Sequence, residues 1–303
     1  MTFVYRGEAL DWDREDTTIV VSLHKDPCNE IGSQMLDELE RLASYLQEGA
    51  DDARALIWTS KIQGGFSAGA DLRELHAKLT EALNWRRNLA DGITQKLPDA
   101  RGLDGLKPLA KKGAKAAADA IQMRPLRKFI NRIHKIFHVF DSTPLTTIAA
   151  VHGVCFGGGF ELALTADMII AEKSARFAFP ELRLGLIPGF GGIPRLERDL
   201  GNAVVRDLLL TGRSLRAKRA HEVGLVSQLV GPGKSLGVAH SVAKQAARFD
   251  RHTMATAKAY LKPIPKERLE EEREHFVKLF TRPAVLESLT RFVQSNDVRP
   301  YLP

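Results

Sequence analysis

Short apolar, β-branched runs alternate with helix-period segments over much of the chain, and that alternation constrains the fold more than any other feature. The runs Thr18–Leu23, Ala55–Thr59, Thr146–Val151 and Met168–Ala171 are each bounded by Gly, Pro, Asp or Ser, the pattern of buried strands. Between the first two, Met35, Leu39, Leu42 and Leu46, with Leu36 and Ala43 beside them, mark one face of a helix whose N-terminus Ser33 is placed to cap. After Pro125, a second helical stripe is formed by Leu126, Phe129, Ile130, Ile133, Ile136, Phe137 and Phe140. Arg127, Lys128, Arg132 and Lys135 fall off that stripe. The alternation predicts βαβ units around a largely parallel sheet through about residue 230, with a helical stretch afterwards. Ala217–Val223 and Leu269–Leu279 carry helix-favouring residues, and no repeat of solenoid period is present.

With 303 residues, 44% hydrophobic and 27% charged, the chain is an ordinary globular composition, which excludes disorder, collagen-like repetition and coiled coil as descriptions of the whole. No apolar run is long enough to cross a bilayer, and acidic residues stand near the N-terminus where a signal peptide needs an apolar stretch, so a cytoplasmic location is expected. Cys28 and Cys155 are the only cysteines and lack metal-ligand spacing, so neither a disulfide framework nor a metal site is expected. The net charge of +7 is uneven. Residues 72–140 hold 15 Lys/Arg against 6 Asp/Glu, leaving 29 against 31 elsewhere. Such a segment is either a solvated helical face or a surface for anions, nucleotide phosphates or nucleic acid among them. It is also long for a connection between two strands, so it must carry structure or function of its own. Its part Lys96–Ala120 contains Pro98, Gly102, Gly105, Pro108 and Gly113 and leaves the conformation open.

Two glycine-rich turns follow strands. Neither Gly157–Gly159 nor Gly189–Gly192 completes a dinucleotide fingerprint, and there is no P-loop, so nucleotide hydrolysis and NAD-linked hydride transfer lose support. Gly157-Gly158-Gly159-Phe160-Glu161 instead offers a turn without side chains opening into a helix, where free N–H groups can hold an oxyanion. Gly64–Leu72, with Ser67, Ala68, Gly69, Ala70 and Asp71, is a second turn of the same kind, with Asp71 as the helix cap. One N–H from each turn would make an oxyanion hole. Glu161 and Glu181, each among large apolar residues, are the candidate acid–base pair: one carboxyl takes a proton from a water while the other donates one. His152 and Cys155 lie near the turn but lack a third orienting group, and Ser67 lacks a nucleophile-elbow context, so packing and turn roles are expected of them.

Taken in order, Phe66–Leu72, Ile148–Gly153 running into Gly157–Glu161, Phe179–Gly192, Leu210–Arg213 and Gly224–Val226 resemble the enoyl-CoA hydratase/isomerase, or crotonase, superfamily. The resemblance covers about residues 15–75 and 126–300. It implies an α/β fold, a crotonase-like spiral of ββα units over 1–230, with a helical C-terminal region at 231–303 for CoA binding and oligomerisation as a homotrimer or dimer of trimers. It further implies that Ala70 and Gly158 N–H groups hold the thioester oxygen, that Glu161 and Glu181 hold the catalytic water, and that Gly189 sits beside it. Ser67, Ala68, Gly69, Asp71, Gly157 and Pro180 complete the expected substrate contacts. The implied reaction is reversible hydration of a 2-enoyl-CoA, or dehydration of a 3-hydroxyacyl-CoA, with CoA as part of the substrate and no cofactor. Neighbouring alternatives are an isomerase and a diffusible-signal-type dehydratase/thioesterase on an acyl carrier protein. The alternative of another class is an RNA-binding crotonase-fold protein, for which the basic segment has too few aromatics outside the buried stripe, so nucleic acid is not an expected partner. The sequence departs from the family at about 77–123, an inserted basic segment where the family lines its acyl pocket.

Overall fold

The computed structural model describes residues 2–48, 50, 52–78, 80–81 and 124–295. The calls on Lys96–Ala120, and nearly all of those on the insertion at 77–123, lie outside these residues.

A seven-stranded sheet runs in the order β1 (Thr2–Arg6), β2 (Leu10–Glu15), β3 (Thr18–Leu23), β4 (Ala55–Ser60), β6 (Thr146–Val151), β8 (Met168–Glu172) and β11 (Gln228–Val230). From β3 onward neighbours are parallel, with Ile57 opposite Ile148 and Ala150 opposite Ile170. The parallel strands read as continuous apolar runs because both faces are covered. Ala55, Ile57, Ile148, Ala150 and Ile170 face Ala239 and Ala243 of a late helix, Ser235–Ala246. The alternate residues Leu56, Trp58, Ala149 and Val151 face the main core, which contains helices α1 (Ser33–Gln47) and α2 (Arg124–Ser142). On α2 the buried side chains are Ile130, Ile133, Ile136, Phe137, Phe140 and Asp141, so the predicted apolar stripe is the buried face, and Phe140 meets Trp58 edge-on at 4.9 Å.

A second, four-stranded sheet has the order β10 (Leu215–Arg216), β9 (Arg176–Ala178), β7 (Val154–Phe156), β5 (Gly65–Ser67). It gives the fold its repeat. Strands β4, β6 and β8 of the large sheet each hand the chain to β5, β7 and β9 of the small one, and a helical segment follows. This is a spiral of ββα turns, and each turn of chain beyond the small sheet arrives at the same end of the molecule.

The N-terminal antiparallel pair β1–β2 was not expected from the sequence. The predicted cap of α1 is also corrected. Gly32, not Ser33, occupies the N-cap and makes no side-chain cap bond. Ser33 is already inside the helix, and both its N–H, at 2.7 Å, and its hydroxyl donate to Glu74, which reaches across from residues 72–78.

Candidate active site

Ala70 belongs to a loop pinned by a single parallel bridge to Ile31. Ile31 N–H donates to Gly69 carbonyl at 2.7 Å, and Asp71 N–H donates to Ile31 carbonyl at 3.1 Å. In a parallel bridge alternate peptide groups point opposite ways, so the Ala70 N–H faces away from Ile31. It faces the glycine turn: a Cβ built on Gly158 would lie 3.4 Å from Ala70 N, and one built on Gly69 would lie 3.1 Å from Gly158 N. Gly158 is the first residue of α3 (Gly158–Ala163), where an N–H has no intrahelical acceptor. Among the described residues neither donor has a hydrogen-bond acceptor. The turn demands glycine at Gly157, whose φ of 48° is left-handed and whose Cβ would sit 2.5 Å from Glu181 Oε1.

Both glutamates line a cavity of about 50 Å³, with Ala68, Ala70, Gly157, Gly158, Pro180, Gly189 and the apolar side chains Leu75, Ile130, Leu186, Phe190 and Phe276 around them. Glu161 is 1% exposed on α3, and its Oε1 accepts the N–H groups of Phe190 and Gly192 at 2.8 Å each. Burial raises its pKa to about 7, against the pull of those two N–H donors and of Arg195. Glu181 stands in the first turn of a short 3₁₀ segment, Pro180–Leu184, and its Oε2 is buried without a partner. Burial, and then the charge of Glu161, hold its pKa well above the ordinary carboxyl range. Two carboxyls thus share one cavity, one anchored by donors and one not.

Three expected contacts are not on the cavity wall. Ser67 is buried; its hydroxyl donates to Asn29 carbonyl at 2.8 Å and accepts Gly69 N–H, which makes it a turn residue. Gly69, with a φ of 102°, sits behind Ala70, and its carbonyl accepts from Ile31. Asp71 accepts Glu74 N–H at 3.0 Å and lies 3.6 Å from Lys25 Nζ, so it caps the helical residues that follow. Gly189 is on the wall, while its carbonyl accepts from His134 Nε2 at 2.9 Å, and burial lowers the pKa of that histidine to about 4. His152 donates to Ile62 carbonyl and Cys155 lies against Gly159 carbonyl, so the two do not form a nucleophilic pair.

The sequence reading missed Glu272. It is 4% exposed on α9 (Lys266–Phe280), and it accepts the N–H groups of Gly191 at 2.6 Å and Ile193 at 2.8 Å. In the sequence it is one of three consecutive glutamates, Glu270-Glu271-Glu272, indistinguishable there from a solvated face.

The family model for enoyl-CoA hydratase/isomerase matches residues 117–298. A protein of Rhizobium meliloti (strain 1021) named "Probable enoyl-CoA hydratase" is 42% identical over 150 residues, covering 48% of this chain and 58% of that one. A "Carnitinyl-CoA dehydratase" of Salmonella arizonae is 38% identical over 154 residues, covering 51% and 52%. These matches span little more than half the length of either relative. A "Probable enoyl-CoA hydratase" of Mycobacterium bovis is 30% identical over 294 residues, covering 95% and 96%. Among solved structures, Pseudomonas aeruginosa DspI is similar with a TM-score of 0.64 at 28% identity, covering 90% of this chain and 95% of that one. A Bacillus halodurans enoyl-CoA hydratase has the same fold, with a TM-score of 0.73 at 20% identity and coverage of 93% and 98%.

Proposed function

The chain belongs to the enoyl-CoA hydratase/isomerase family, and from that premise we propose that it adds water reversibly across the double bond of a 2-enoyl-CoA thioester. The observation that carries this reading is the pair of unlike carboxyls, Glu161 and Glu181, on one small cavity beside two unengaged N–H donors. An isomerase, which moves a proton without adding water, needs only one such group.

In the forward direction Glu161 takes a proton from water as the water oxygen bonds to the β-carbon. The π electrons move toward the thioester oxygen, where the N–H groups of Ala70 and Gly158 stabilise the enolate. Glu181 then delivers a proton to the α-carbon, and the protons balance when the two carboxyls re-equilibrate. The environments support this division. Two N–H donors and Arg195 pull the pKa of Glu161 down against its burial, whereas Glu181 has no side-chain partner and the charge of Glu161 raises it further, so Glu161 is the better acceptor and Glu181 the better donor. The reverse sequence is dehydration of a 3-hydroxyacyl-CoA, and likeness to a carnitinyl-CoA dehydratase favours including that direction. In this proposal CoA is part of the substrate and no resident cofactor takes part.

We also propose a homo-oligomer. No residue of helix Arg251–Leu261 is fully buried in the single chain, and Tyr260 and Leu261 are 86% and 77% exposed on it.

The deciding experiment is turnover of 2-enoyl-CoA and 3-hydroxyacyl-CoA thioesters of graded length by wild type, Glu161→Gln and Glu181→Gln. Each substitution is expected to cost about 10²–10⁴-fold in kcat. Near wild-type hydration in either variant overturns the two-carboxyl assignment, and loss at Glu161 alone indicates isomerase chemistry.

A further inference from the structure

Residues 189–193 form the entry to the helix Gly192–Leu200, and side chains from three other places in the chain, together with Arg195 of the helix itself, grip their peptide groups one after another. His134 holds the Gly189 carbonyl. Glu161 Oε1 holds the N–H groups of Phe190 and Gly192, and Glu272 takes the intervening pair, Gly191 on Oε1 and Ile193 on Oε2. On the carbonyl side, Arg195 Nη1 donates to Phe190 and Gly191 at 2.9 and 3.2 Å, while its Nε is fixed by Asp141 at 2.8 Å. Two carboxyls therefore interleave at one helix N-terminus.

That interleaving has a consequence for Glu161. A helix start presents several N–H groups without acceptors, and a buried donor left unpaired is costly. Glu161 already accepts from the residues on either side of Gly191 and interacts electrostatically with Glu272, so without Glu272 its second oxygen is an acceptor that the freed Gly191 and Ile193 donors could recruit. With both oxygens occupied by backbone, Glu161 would have no lone pair aimed at the cavity. Glu272 prevents this by satisfying the alternate donors itself, so that both bonds to Glu161 fall on Oε1 and Oε2 stays open. We infer that Glu272 is a positioning residue, which keeps one oxygen of Glu161 free to take the proton from water. It touches no substrate, and the inference rests on the reading of Glu161 as that base.

The test is a double-mutant cycle of Glu272→Gln and Glu161→Gln on an enoyl-CoA substrate, followed under single-turnover conditions so that slow variants are measured. Gln keeps the shape but can accept through one oxygen only. Glu272→Gln in the wild-type background is expected to lower kcat by about 10²-fold, as a misplaced catalytic group does, with KM changed by less than about twofold. In the Glu161→Gln background the same substitution should change the remaining rate by less than about twofold, because a residue that acts only through Glu161 has nothing left to position. An equal cost in both backgrounds, or an unchanged kcat with a lowered Tm, overturns the inference in favour of a structural cap. Wild-type turnover by Glu161→Gln would instead overturn the proposed function. If Glu272→Gln does not fold, Glu272→Asp, which keeps the charge but is one methylene short of the two N–H groups, runs the same cycle with the same expectations.

Discussion

Glu161 and Glu181 differ in what surrounds their oxygens, and that difference sets a pH profile. As the proposed base, Glu161 must be ionised to accept a proton, so kcat/KM should rise with pH through a midpoint near 7. A pH–rate profile lacking the acid limb would remove Glu161 as the base. The same shift acts on stability. Between its ordinary value of 4.5 and about 7, the folded protein holds a proton at Glu161 that the unfolded chain has released, so stability declines as pH rises through that window. Glu161→Gln should flatten the decline by up to about 3 kcal/mol, measurable as Tm against pH in both proteins. Glu161 and Glu181 were legible in the sequence because each adjoins a glycine turn or a run of aromatics. Glu272 was not, since its burial depends on a helix far along the chain folding back onto residues 191–193.

Helix α2 was legible for a different reason: its seven apolar residues from Leu126 to Phe140 repeat at helical spacing over about four turns, and periodicity survives without any knowledge of the partner. Strands β5, β7, β9 and β10 have only two or three residues each, too few for any period to register, so the second sheet stayed hidden although its turns were recognised. The hairpin β1–β2 mixes charges with its apolar residues and is held by contacts a local pattern cannot reveal. Trp12 stacks on Tyr5 at 4.1 Å, and buried Glu38 of α1 accepts the N–H groups of Glu8 at 2.9 Å and Leu10 at 2.9 Å, with Ala9 between them. Glu38→Ala strands those donors, and at about 1–3 kcal/mol per unsatisfied buried group a loss of about 2–4 kcal/mol is expected in denaturant unfolding. Phe137→Ala on α2 should cost about 3–5 kcal/mol by leaving a cavity in the core. A cost below about 1 kcal/mol for Glu38→Ala would mean that water reaches the hairpin turn.

Across the whole molecule, the cavity of Glu161 and Glu181 is closed by pieces that are distant in sequence: Leu75 after the first turn, Ile130 on α2, Phe190 before its helix and Phe276 on α9. Part of the basic segment is neutralised locally, since Arg127 pairs with Glu274 at 2.6 Å and Arg132 with Asp37 at 2.7 Å and with Glu40, as expected of a solvated helical face. The helix Arg251–Leu261 is tied down differently. Lys258, its pKa lowered to about 8 by burial, reaches Leu145 carbonyl at 2.7 Å and Asp167 at 2.8 Å, and Lys262 just beyond the helix reaches Thr165 carbonyl, Asp141 and Asp167. Its apolar residues Tyr260 and Leu261 take no part in this anchoring and stand in solvent, with Phe249 and Leu210 also exposed elsewhere on the chain. A short helix gains most of its stability from packing an apolar face, and here the half-buried apolar residues are Met254 and Ala255, while Tyr260 and Leu261 pack on nothing among the described residues. Covering Tyr260 and Leu261 with a second copy would supply that face. Tyr260→Asp combined with Leu261→Asp should then shift the sedimenting species from a multiple of the chain mass to a single chain, with α9 and the Glu161 site still folded. A wild-type protein that sediments as one chain at micromolar concentration, or a double variant that keeps the wild-type mass, would show that these side chains do not hold copies together.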